Sequence, residues 1–171
     1  MLAAWLVAGC SDDVEDCGAA DTRGVSCDEV LPVPCAFGFS EALAQARAGS
    51  CVVLEPGTYG EGTLPGGAKL IGPGADQVTV GSLTLPAGQG SAVHGVHVAG
   101  VVKVRPDAID VQLTELLVTG SQNGIQAESG ASVTVEDVEV LGVPNMAVAM
   151  VDAARLTLRR VRIAAGEGPG L

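Results

Sequence analysis

The chain has 171 residues, of which 47 % are hydrophobic but only 2 % aromatic and 17 % charged, with 24 glycines and a formal net charge of -11. So apolar a composition excludes a disordered chain. The scarcity of aromatics excludes a base-stacking surface or an aromatic-lined sugar cleft, and the acidity argues against binding a phosphate backbone, so no nucleic-acid partner is expected. The core must be built from Val, Leu, Ile and Ala, with glycines at turns.

Met1 to Gly9 is an uncharged apolar run, far shorter than the roughly 20 residues a spanning helix needs. It ends in Leu6-Val7-Ala8-Gly9-Cys10. That stretch resembles the lipobox of bacterial lipoproteins: a hydrophobic residue, two small residues, then cysteine. The resemblance implies a signal peptide over 1–9, cleavage before Cys10 and lipidation of Cys10. The acyl chains would supply membrane affinity of about 0.8 kcal/mol per buried methylene. Signal peptides usually start with Lys or Arg, and this run has neither, which leads to the expectation of a longer natural start. By the same resemblance, Ser11 after the cysteine suits export to the outer membrane, at the periplasmic or the cell-surface side.

Residues 10–34 read as an acidic, cysteine-containing tether. Between Ser11 and Val30 stand Asp12, Asp13, Glu15, Asp16, Asp21, Asp28 and Glu29 against the single base Arg23. Such a stretch is expected to be solvated rather than folded. Besides Cys10, the cysteines are Cys17, Cys27, Cys35 and Cys51. An even number in an exported protein reads as disulfides, and Cys17–Cys27 with Cys35–Cys51 is the expected pairing. No C-x-x-C pair and no nearby histidine suggests zinc, and no cofactor is expected.

From residue 35 to 171 the chain reads as one β domain. Phe39 to Ala46 predicts a short helix with Ser40 as N-cap. Cys51 to Leu54 predicts a strand, and Glu55-Pro56-Gly57-Thr58-Tyr59 a turn. Four segments then align without gaps, starting at Val93, Leu113, Val135 and Leu158. Each follows the rule apolar, x, x, apolar, x, apolar. Val78-Thr79-Val80 and Leu83-Thr84-Leu85 look like an earlier, irregular copy. Short alternating strands at a period of 20–23 residues with glycine turns mean a solenoid. The shift from i, i+2 to i, i+3 marks a corner between two strands. A leucine-rich repeat is the competitor at this period, but its leucine frame with asparagine or cysteine is absent.

Segments such as Gly124-Ile125-Gln126-Ala127-Glu128-Ser129-Gly130-Ala131-Ser132-Val133-Thr134-Val135 resemble the repeats of right-handed parallel β-helices of the pectin-lyase type. The lead-in of helix, strand, Pro56-Gly57-Thr58-Tyr59 and Leu70-Ile71-Gly72 resembles the start of that fold. The resemblance implies an all-β, single-stranded, right-handed parallel β-helix whose short helix caps the first coil. It is specific for fold and says little of function, since the fold hosts lyases, hydrolases, epimerases and adhesins.

Aligned repeats place equivalent residues about 4.8 Å apart on adjacent coils. Glu136 then faces Arg159, Asp137 faces Arg160 and Glu139 faces Arg162: three acid–base pairs that read as a surface ladder. Glu115, Asp137 and Arg160 form one column. Its two carboxylates, Glu115 and Asp137, are weak calcium candidates, and no catalytic residue is assigned. His94 and His97 should both face outward on either side of Gly95, as solvated residues. Asn123 and Asn145 resemble the asparagine ladder of β-helices, with amides stacked inside a turn. Lys103-Val104-Arg105-Pro106-Asp107 reads as a mixed-charge turn. No phosphate-binding loop, nucleophile elbow or zinc-protease motif is present.

After Leu158–Ile163 no capping element is visible, and further coils are expected to follow. The resulting expectation is a monomeric, lipid-anchored surface protein. Its expected partners are a membrane through the anchor and a polysaccharide. A polysaccharide lyase with its active site on later coils is the alternative.

Overall fold

The computed structural model describes residues 20–34, 37–120, 122–152 and 154–164. Strand β1 (Glu29–Val33) and α1 (Phe39–Gln45), the one helix among the described residues, precede six coils of a parallel solenoid. The first coil holds β2 (Ser50–Leu54), β3 (Gly57–Thr58) and β4 (Gly62–Thr63). The second holds β5 (Lys69–Ile71), β6 (Val78–Val80), β7 (Leu83–Leu85) and β8 (Gly88–Gln89). The third holds β9 (Ala92–His94), β10 (His97–Val98), β11 (Val102–Val104) and β12 (Ala108–Ile109). Next come β13 (Val111–Thr114), β14 (Leu117–Thr119) and β15 (Asn123–Ala127), then β16 (Ser132–Glu136), β17 (Glu139–Leu141) and β18 (Met146–Met150). The last coil has β19 (Arg155–Arg159) and β20 (Arg162–Ala164).

Each strand pairs in parallel with its counterpart on the neighbouring coil, which builds three long sheets. Sheet A runs β1-β2-β5-β9-β13-β16-β19, sheet B β3-β6-β10-β14-β17-β20 and sheet C β4-β7-β11-β15-β18, with the short pair β8-β12 beside them. The repeat frame is the register. Leu113 lies between Val93 and Val135, and Val135 is followed by Leu158. On sheet B, Val80, Val98, Val118, Val140 and Ile163 form one row. These rows fill the tube, and one continuous aliphatic core results. A narrow coil stack leaves room for medium-sized branched side chains on its axis, hence the near absence of aromatics.

The corner between sheets A and B is a column of left-handed residues. Gly95, Glu115, Asp137 and Arg160 have φ of 65°, 53°, 54° and 49°. One αL residue turns the chain between two short strands, which produces the shift in apolar spacing seen in the sequence. The segments Val78–Val80 and Leu83–Leu85 are not an earlier copy of this corner. They are the sheet B and sheet C strands of a single coil, in register with β10 and β11. The second coil turns from sheet A to sheet B through a longer connection, between Ile71 and Val78.

Two expectations at the start are corrected. The helix begins at Phe39 with Gly38 as its N-cap and no side-chain cap, so Ser40 lies inside the first turn. Its buried residues are Ala42 and Leu43, and it packs against β1 and β4. The other correction concerns residues 10–34. Glu29–Val33, expected within the solvated stretch, is a strand of sheet A paired along its whole length with β2. Leu31 and Val33 bury their side chains in the core, which supplies the apolar surface the acidic composition concealed.

Candidate functional site

The outer face of sheet A carries the polar side chains, and its two halves differ. Over the first coils it is covered by residues 20–28, which run as a strap across β2 and β5. Strand β2 is buried along its full length. Val52 and Leu54 point into the core, while Cys51 and Val53 point outward and pack with Ile71, Ala20, Val25 and Cys27. Alternation puts two apolar residues outside, and only a covering segment can bury them. Cys27 is bonded to Cys51 with Cα atoms 5.6 Å apart. This pairing replaces both expected ones, Cys17–Cys27 and Cys35–Cys51; Cys17 and Cys35 lie outside the described residues. The Lys69 ammonium donates to the Ser26 carbonyl. Arg23 donates to the Pro73 carbonyl at 3.0 Å and pairs with Glu115 at 3.4 Å.

The strap is thus held by one covalent bond, a small apolar patch and a few exposed polar contacts. Replacing Cys27 by serine should lower stability by about 2 kcal/mol, towards the low end for a disulfide because β1 still pairs with β2. Trypsin should then cut after Arg23 much faster than in the parent, at a rate followed by mass spectrometry, while the solenoid circular dichroism is retained.

Beyond the strap the face is open. Gln112, Thr134 and Thr157 form one outward column, and Thr114, Glu136 and Arg159 the next. Gln112, Thr114, Thr134, Glu136 and Arg159 line a shallow groove of about 260 Å³. The sequence alignment places Glu136 opposite Arg159, and the backbone register agrees, but the Glu136 carboxylate turns to Arg160. Arg160 also donates twice to Asp137, one bond being 2.8 Å. These hydrogen bonds hold the Asp137 carboxyl below its ordinary value and raise the Arg160 guanidinium. Glu139 pairs with Arg162 at 3.3 Å as expected.

Glu115 and Asp137 share the corner column, but their carboxylates are turned to separate cations. Glu115 contacts Arg23 and His94, both at 3.4 Å, and Asp137 contacts Arg160. Among the described residues no group of three or more His, Cys, Asp or Glu is placed to hold a metal ion. Lys103 lies in β11 rather than in a turn, and with Arg105 it grips Glu128 at 3.5 and 3.2 Å.

The two histidines face different sheets, as expected, but neither is simply solvated. His94 stands on sheet A beside Glu115. His97 stands on sheet B with Nδ1 3.2 Å from the Thr79 hydroxyl and Nε2 2.7 Å from that of Thr119. Partial burial lowers its pKa below the ordinary 6.5. Because the folded value lies below the unfolded one, stability is fully present above about pH 6.5 and declines as pH falls. The urea midpoint should therefore drop on acidification more in the parent than in His97→Gln.

Asn145 donates its amide to the Asn123 carbonyl oxygen at 3.1 Å. The two are one residue out of strand register, since Asn123 pairs with Met146. This rung joins two side chains at the surface rather than bonding backbone inside a turn. Cys10 and the lipobox lie outside the described residues. Among those described, no helix is long and apolar enough to cross a membrane.

Compared with protein-family models, with curated proteins and with solved structures, the chain matches none.

Proposed function

We propose that the protein is an exported, lipid-anchored surface protein whose solenoid binds or displays through its outer face without catalysis. The observation that carries the reading is the open half of sheet A. Two polar columns, Gln112-Thr134-Thr157 and Thr114-Glu136-Arg159, run there from coil to coil along a shallow groove. Such a ladder suits hydrogen bonding to a repeating polar polymer such as a polysaccharide. The neighbouring carboxylates are already engaged by arginines, which favours holding a ligand over activating one. The lipobox ending in Cys10 supports the anchor.

Two measurements test this. The parent should fractionate with membranes and Cys10→Ser should be released; a Cys10→Ser protein that stays membrane-bound sinks the anchor. Retention of the parent on an anionic polysaccharide column should fall on Arg159→Gln, and equal retention argues against the sheet A face. The alternative, a lyase, is favoured instead if unsaturated uronate products accumulate when the protein is incubated with such polymers and calcium.

A further inference from the structure

We propose that the Cys27–Cys51 bond is a thiol-exchange site: a dithiol reductant opens it in the folded protein, Lys69 stabilises the departing Cys51 thiolate, and residues 20–28 then come away from sheet A. Exchange at this bond is independent of what the open groove binds. The two sulfurs are unequally placed. Cys51 has no exposed surface, whereas Cys27 is only partly buried, so a thiol in solution reaches the bond from the Cys27 side. The cysteine that must leave has a cation beside it. Lys69 is the partner of Cys51 on the next coil, and alternation turns both side chains outward. Its ammonium donates to the Ser26 carbonyl, and the Cys51 sulfur lies 3.9 Å from that same oxygen. Among the described residues no carboxylate pairs with Lys69, so its charge is free to meet a thiolate. A cation beside a cysteine favours the thiolate, and a leaving thiol of lower pKa departs faster.

Little else holds residues 20–28. Ala20 and Val25 pack on the apolar patch of Cys51, Val53 and Ile71. Arg23 reaches the Pro73 carbonyl and Glu115 at the surface, where such contacts are weak. The segment pivots where Asp28 bonds Gly49 and β1 begins. Its departure bares Cys51, Val53 and Ile71 and frees Glu115 from Arg23. The uncovered residues head the same outward columns that form the open groove. One column runs Lys69, Ala92, Gln112, Thr134, and the other Ile71, His94, Thr114, Glu136. Reduction therefore lengthens the exposed face of sheet A towards the first coil. The chemistry is a two-electron exchange. A thiolate of the reductant attacks the Cys27 sulfur, the Cys27–Cys51 bond breaks, and its electron pair leaves on Cys51. The second thiolate of the reductant then attacks the mixed disulfide and releases Cys27. The dithiol ends as a disulfide, and its two protons pass through water to the two cysteines.

Dithiothreitol on the folded parent is the probe, with alkylation and peptide mass spectrometry reading Cys27 and Cys51 separately from the other cysteines. Both should become alkylated while the circular dichroism of the solenoid is kept, and trypsin should then cut after Arg23 as fast as in Cys27→Ser. Dithiothreitol should leave the cleavage rate of Cys27→Ser itself unchanged, which sets aside the remaining cysteines. Lys69→Met should slow the reduction by about three- to tenfold, and Lys69→Arg should restore it. Glutathione, a monothiol, should form its mixed disulfide on Cys27. Reduction only at the rate of global unfolding, a mixed disulfide on Cys51, unchanged kinetics in Lys69→Met, or a reduced parent as resistant to trypsin as the oxidised one overturns the proposal.

Discussion

Leu113→Ala is expected to destabilise the protein by about 3–5 kcal/mol, the usual range for a fully buried leucine whose site cannot collapse. Leu113 has no exposed surface and stands in the middle of the sheet A row, between Val93 and Val135. Its backbone is fixed on both sides by parallel ladders, so the neighbouring coils cannot close the gap without losing register. A Leu158→Ala change makes the same chemical deletion at the end of the same row. It should cost far less, about 1 kcal/mol, because that side chain is already half in water. Chemical denaturation of the two variants against the parent checks the contrast. Equal losses would mean that the row is not the packing unit of the fold.

This contrast follows from the part of the molecule that the sequence spells out most openly. A narrow tube has only a few inward positions per coil, and each coil must supply the same ones. The frame starting at Val93, Leu113, Val135 and Leu158 therefore repeats, and its alignment is the strand register itself. The charge ladder was visible for the same reason, since outward columns inherit that register. What the alignment could not convey was where a long side chain turns. Glu136 lies opposite Arg159 yet reaches Arg160, because a guanidinium at the corner can meet two carboxylates at once.

The strap was concealed by its own chemistry. Its acids match a solvated tether, and its few apolar contacts, from Ala20, Val25 and Cys27, show no periodicity. One signal was available in β2. Ser50 to Leu54 is apolar without alternation after its first residue, and a strand with two apolar faces needs cover on both. From that follows an outward Cys51 and a partner outside the coil, hence Cys27 rather than a cysteine beyond the helix. Spacing alone favoured cysteines close in sequence, whereas β1 pairing in parallel with β2 returns the upstream chain over the outer face.

Gly95→Ala should be among the most damaging single-methyl additions in the protein, with a loss of about 3 kcal/mol. Two costs combine. An alanine at φ +65° loses about 1–2 kcal/mol relative to glycine. The added Cβ would also lie 2.5 Å from the Gly72 carbonyl oxygen, in the backbone of the neighbouring coil, and relieving such an overlap costs about 1–3 kcal/mol. Glu115, Asp137 and Arg160 bear the same left-handed geometry with full side chains, so the αL conformation by itself is tolerated in this column. What sets Gly95 apart is the close approach of Gly72, whose own added Cβ would meet the Gly95 carbonyl at the same 2.5 Å. The Arg23 guanidinium would lie 3.0 Å from the same added Cβ, so the methyl should also push that side chain aside and loosen the strap around Arg23. Thermal unfolding measures the first effect, and tryptic cleavage after Arg23 measures the second. A Gly95→Ala protein that keeps both its midpoint and its resistance to trypsin would show that the second and third coils are not in contact at this corner.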